Sequence, residues 1–98
     1  MIDVRYIVPV VFGTEYFLYT FDIKAGLRPT ISDVVDFNDG ENIFSTSVQA
    51  VRIQVLQGRF DVYCKQRIYR RDEVEIYNLE VSMLKKWGFT TLDQEEFT

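Results

Sequence analysis

Apolar and polar residues alternate through the first 25 positions. Val4, Tyr6, Val8, Val10 and Phe12 share one parity, and Phe17, Tyr19, Phe21 and Ile23 share the other. A period of two places each set on one face of a strand. Gly13-Thr14 lies between the runs, and glycine at the first central position suits a type II′ turn. Counting outward from Phe12 opposite Glu15, Val10 faces Phe17, Val8 faces Tyr19, Tyr6 faces Phe21 and Val4 faces Ile23. On the other face Arg5 meets Asp22 and Asp3 meets Lys24. A one-residue slip would lose both charge pairs and turn the apolar face outward, so turn, pattern and charge specify one hairpin.

The outer face of this hairpin is also apolar near its tip. Val11 stands opposite Tyr16, Pro9 opposite Leu18 and Ile7 opposite Thr20. Either a loop, the C-terminal tail or another strand covers these side chains, or a partner does. Pro9 suits an edge strand or a bulge better than a central strand.

Alternation returns in "VQAVRIQVLQGRFDVYCKQRIY". With Gln57-Gly58 as the turn, Val55 faces Phe60, Ile53 faces Val62 and Val51 faces Cys64 on the core side. Leu56–Arg59, Gln54–Asp61, Arg52–Tyr63, Ala50–Lys65 and Val48–Arg67 fall on the outer side. Gln-Gly is a weaker turn signal than Asn-Gly, and a two-residue slip would keep the same residues inside.

Between the hairpins, Gly26 and Pro29 end the strand. Thr30 or Ser32 caps an expected short helix carrying Ile31, Val34, Val35 and Phe37, and "NDG" marks a turn after it. The stretch "DEVEIYNLEVSMLKKWGF" predicts a longer helix over residues 73–87. Asp72 is its expected cap, with Glu75 completing a capping box. Lys85 and Lys86 fall in the last turn, Gly88 is the left-handed stop, and Phe89 is placed to fold back. A competing reading keeps 73–77 as a strand and lets Asn78 cap a shorter helix. The helix has two apolar stripes: Val74, Tyr77, Val81 and Leu84, and Ile76, Leu79, Met83 and Trp87. One stripe suffices to pack on a sheet. The second needs the middle helix, the tail or another chain, with Met83 and Trp87 as natural anchors.

These elements predict an α+β fold in the order β-β-α-β-β-α. Two antiparallel hairpins make a sheet of about four strands, and both helices pack on one face. Ninety-eight residues, 47% of them hydrophobic, suit one domain over 1–98. A net charge of −4 favours solubility and says little about partners. Asp3 and Arg5 interrupt the first apolar run, which is too short to span a bilayer, so the expectation is no membrane and a cytoplasmic location.

The candidate chemistry is thin. The chain has no histidine and one cysteine, Cys64, which reads as a small buried hydrophobe. "DFNDGEN" gathers Asp36, Asn38, Asp39 and Glu41, yet Gly40 is fifth rather than sixth and Ser47 holds the twelfth place. The loop therefore reads as an acidic turn, not a calcium site. There is no phosphate-cradling glycine loop, zinc pattern or nucleophile elbow. We expect no metal, no cofactor and no enzymatic activity.

Two surfaces remain. The apolar one comprises Ile7, Pro9, Val11, Tyr16, Leu18, Met83 and Trp87. It points to a protein partner and a homodimer, as in a small regulator, an inhibitor or an assembly subunit. The basic one comprises Arg52, Arg59, Tyr63, Lys65, Arg67, Arg70 and Arg71. On one sheet face these would suit a nucleic acid or an acidic partner. The acidic residues elsewhere weaken the nucleic-acid alternative.

Overall fold

β1 (Ile2–Phe12) and β2 (Glu15–Ala25) pair antiparallel in the register their side chains specify, with Val10 opposite Phe17 and Arg5 opposite Asp22. The structure, a computed structural model, describes residues 1–92. Gly13 has φ +61°, as the first central position of a type II′ turn requires. Both expected charge pairs form. Arg5 donates to Asp22 from Nε at 2.8 Å and Nη2 at 3.1 Å, and Lys24 Nζ lies 3.9 Å from Asp3.

The middle of the chain departs from expectation. The short helix is a strand, β3 (Val34–Asn38), paired antiparallel with β4 (Ile43–Gln54). Val35 and Phe37 alternate inward, and Phe37 stands opposite Phe44. Ser32, an expected helix cap, has φ +75°, which no helical start tolerates. The "NDG" turn therefore joins two strands. Asn38 Oδ1 accepts from the Gly40 amide at 2.8 Å, and Asp39 Oδ1 from those of Glu41 and Asn42 at 2.9 and 2.7 Å.

β4 then pairs with β5 (Arg59–Cys64) in a register two residues from the one expected with Gln57-Gly58 as the turn. Ile53 faces Phe60, Val51 faces Val62, and residues 55–58 form the loop. A two-residue slip preserves parity, so Val51, Val62 and Cys64 still face inward, although Val55 and Ile53 at the loop end stand 79% and 58% exposed. A bulge between Val48 and Ala50 switches the parity, so Val48, expected on the outer side, stands opposite Cys64 and is buried in the core.

Next come β6 (Arg67–Tyr69), α1 (Val74–Lys86) and β7 (Thr90–Thr91). The expected four-stranded sheet with two helices is thus overturned. The described residues form one mixed sheet of seven strands, ordered β3-β4-β5-β1-β2-β7 with β6 also beside β1, and one helix. β5 and β6 both run parallel to β1, β5 beside residues 4–7 and β6 beside residues 10–12.

β1 is therefore central, and Pro9 sits in a central strand. In a two-residue hairpin the even-numbered residues of β1 bond to β2, so Pro9 would direct its N–H to the other side. That side is the break between β5 and β6, since Ile7 pairs with Tyr63 and Val10 with Arg67. The missing donor falls where no partner strand runs.

α1 covers the inner face of the sheet. Leu84 is fully buried, Tyr77 stacks on Phe12 at 4.2 Å, and Phe89 packs against Phe21 and Phe37 at 5.3 and 5.1 Å. The helix begins after Glu73 with no side-chain cap, so neither the Asp72 capping box nor a strand over 73–77 forms. Glu73 instead accepts from the Arg70 amide at 2.9 Å. Its end matches the sequence reading. Phe89 N–H donates to Leu84 O at 3.0 Å and Gly88 N–H to Lys85 O at 3.1 Å, a Schellman pair with Gly88 at φ +101°.

Candidate interaction surfaces

Tyr77, Val81 and Leu84 face the sheet, which turns the other stripe of α1 toward the start of β4. Ile43 and Phe44 of β4 and Ile76, Leu79, Met83 and Trp87 of α1 line a groove of about 130 Å³. Leu79 is 65% exposed, Ile43 64% and Ile76 55%. They are held on regular elements rather than loops, so the apolar wall is preformed.

One side of the groove is polar. Glu80 accepts from Arg67 Nε at 2.7 Å and from the Tyr69 hydroxyl, tying α1 to β6. The Arg67 guanidinium rests 4.6 Å from the centre of the Phe44 ring. At the end of the helix, Trp87 packs beside Phe37 and Phe44 at 6.5 and 6.3 Å. Its indole N–H donates to Asp39 Oδ2 at 2.7 Å. That bond, with the Asn42 and Glu41 amides, pulls the Asp39 carboxyl down to about 2. Trp87 and Met83 are both half-buried, so the more exposed members of the stripe are Ile76 and Leu79.

The outer tip of the first hairpin divides. Ile7 is fully buried in the row Thr20–Ile7–Tyr63 across three strands. Pro9, Val11 and Leu18 are half-buried, and Tyr16 is 49% exposed. Ile68 of β6 stands beside Val11 and is largely exposed, extending the patch over a third strand. The tail offered by sequence as a cover lies outside the described residues from position 93 onward.

The basic residues do not gather on one face. Arg59, Asp61 and Tyr63 alternate on the outer side, where Arg59 Nε bonds Asp61 at 2.8 Å and Arg52 lies 5.6 Å from the Tyr63 ring. Asp22, Arg5, Asp61 and Arg52 follow one another across four strands, a row of alternating charge. The break at Lys65-Gln66 shifts the alternation by one. Arg67 and Tyr69 therefore turn toward α1, contrary to the outer position expected for Arg67, and Ile68 turns outward. Arg70 pairs with Asp72 and Glu73 at 3.4 and 3.3 Å. Arg71 reaches the hairpin tip, donating to Thr14 Oγ1 at 3.3 Å with its guanidinium 5.8 Å from the Phe12 ring.

The acidic loop spends Asn38 and Asp39 on its own backbone and on Trp87. Asp36 accepts from the Ser45 hydroxyl at 2.5 Å. Among the described residues no cluster of acids and cysteine has the geometry to hold a metal ion. Burial pushes the Cys64 thiol up to about 12, far from the reactive range. What the groove offers is contact chemistry: an apolar wall with an ion pair at its side.

Two contributors escaped the sequence reading, Ile43 and Ile68. Ile43 was hidden because β4 was expected to begin later, and Ile68 because the strand break was not seen. No helix among the described residues is long and apolar enough to cross a membrane. Comparison of the chain with protein families, with curated proteins and with solved structures finds no match.

Proposed function

We propose that this protein is a non-catalytic protein-interaction module, a small regulator, inhibitor or assembly subunit, that seats an apolar segment of a partner in the groove between α1 and β4 and also self-associates. One observation carries the reading: Ile43, Ile76 and Leu79 stand exposed side by side on a rigid wall. Contiguous apolar surface of this kind marks interaction sites in soluble proteins. Burying each such side chain contributes roughly 1.5–3 kcal/mol. The Arg67–Glu80 pair and the edge of Trp87 supply directional contacts around the wall. Cys64, buried and unpaired, suits a reducing compartment such as the cytoplasm.

Nucleic acid is the weaker partner class, because the arginines are distributed over both faces and mostly paired with carboxylates. The test is an affinity capture from the native host with wild type, Leu79→Glu and Ile68→Glu. The reading expects a protein retained by wild type and Ile68→Glu and lost by Leu79→Glu. A partner held equally by all three would remove the groove from the account.

A further inference from the structure

The exposed edge of β2 has a geometry that fits a second copy of itself. β7 pairs with β2 only at Tyr19 and Thr20, and Phe89 then leaves the sheet to pack on Phe21. Among the described residues no strand lies beyond Asp22, Ile23 and Lys24 on that side. The hairpin fixes which backbone groups point outward. Odd-numbered residues of β2 bond to β1, so Asp22 and Lys24 direct their N–H and C=O groups to the open edge. The same parity places Leu18 outward, and its carbonyl indeed accepts from the Leu92 amide at 3.0 Å.

We propose that two copies pair antiparallel along this edge with Ile23 on the two-fold axis. Three independent conditions select that register. Hydrogen-bond parity requires outward-pointing residues to oppose one another, and Asp22 opposite Lys24 of the second copy satisfies it in both directions. Charge requires opposite signs: registers that set Asp22 or Lys24 against itself oppose like charges, whereas this one makes two complementary pairs on the outer face. Space requires the pairing to end before β7. Here Ala25 of one copy reaches Phe21 of the other, and Gly26, with nothing within 4 Å of a Cβ built on it, lets the chain leave.

The pairing also brings the two Ile23 side chains, each 45% exposed, together on the axis. Charged residues on an edge strand ordinarily discourage edge-to-edge association. Asp22 and Lys24 do so in the two neighbouring registers that set either residue against its own copy. The contact is isologous and short, so it gives a weak, closed dimer rather than a filament. This deepens the self-association part of the proposed function and rests on that part alone; it leaves the groove free for another protein.

Sedimentation equilibrium tests it on the full chain, with circular dichroism confirming the fold of each variant. Wild type is expected to show a monomer–dimer equilibrium at concentrations up to roughly 1 mM. Asp22→Lys and Lys24→Asp should each dimerise roughly tenfold more weakly, since both outer-face pairs become like-charged. An equimolar mixture of the two variants restores both opposite-charge pairs and should recover dimer. Leu79→Glu should dimerise as wild type does. A wild type that stays monomeric, single variants that dimerise undiminished, a mixture with no recovery, or a dimer lost on Leu79→Glu would each overturn the edge pairing. Only the last would move self-association to the groove, and a partner's loss on Leu79→Glu in the capture experiment is read separately.

Discussion

Asp39 and Trp87 show how one exposed carboxylate locks a surface. The indole bond and two backbone amides hold the carboxyl at about 2, below its ordinary value of 3.8. A group depressed on folding contributes stability that is complete above the ordinary value and is lost as pH falls through the folded one. Asp39→Ala is therefore expected to lower stability at neutral pH, with the deficit against wild type shrinking below pH 3.8 and closing near about 2. Denaturation midpoints across that range check it, and the single tryptophan reports the loosened ring by fluorescence. Cys64 makes the opposite case: its thiol, pushed up to about 12, should react with a thiol reagent near pH 8 roughly a thousandfold more slowly than an exposed cysteine until the protein unfolds. Its inertness was legible from the alternation that put it on the core side and from the lack of histidine. The Asp39–Trp87 bond was not legible, because it joins a turn to a helix end 48 residues away.

Among the elements, those whose signals agreed formed as read, and those whose signals conflicted did not. The first hairpin had pattern, turn and charge in accord, and its register is correct throughout. The end of α1 had lysines and a glycine stop; the lysines lie in the last turn and the glycine ends the helix as the sequence implied. Gly88→Ala should cost about 1 kcal/mol or more in chemical denaturation, because φ is +101° and the new Cβ would meet the Phe21 ring at 3.4 Å. β3 failed as a sequence reading because its Val34-Val35 pair fits either a strand or a short helix. The decision came from pairing with Phe44, Thr46 and their neighbours, a long-range contact that no local window contains. The Asp72 capping box did not form because the helix starts after Glu73, which takes the cap position without a side-chain cap bond.

For the whole molecule, the inward set of side chains was readable along the first hairpin and β5 but not past the bulge at Val48 or the break at Lys65-Gln66, and the order of strands was not readable. Strand adjacency depends on which edge each hairpin offers the next, and the parallel pairing of β1 with β5 leaves no mark in either sequence. The surplus of apolar residues did survive: one stripe of α1 is spent on the core and the other is left beside Ile43. The two stripes should therefore respond differently to mutation. Leu84→Ala should destabilise by roughly 2–5 kcal/mol, whereas Leu79→Ala should change stability by less than about 0.5 kcal/mol. Thermal and chemical unfolding of the two variants makes the comparison.

The most direct test of the partner-binding groove is a calorimetric titration of the captured partner against wild type, Leu79→Glu and Ile68→Glu, all verified as folded. Affinity should fall about tenfold or more for Leu79→Glu alone, the size expected when one buried contact of an interface is lost. Equal affinity for the three proteins would contradict the claim that this face of α1 is where the second molecule sits.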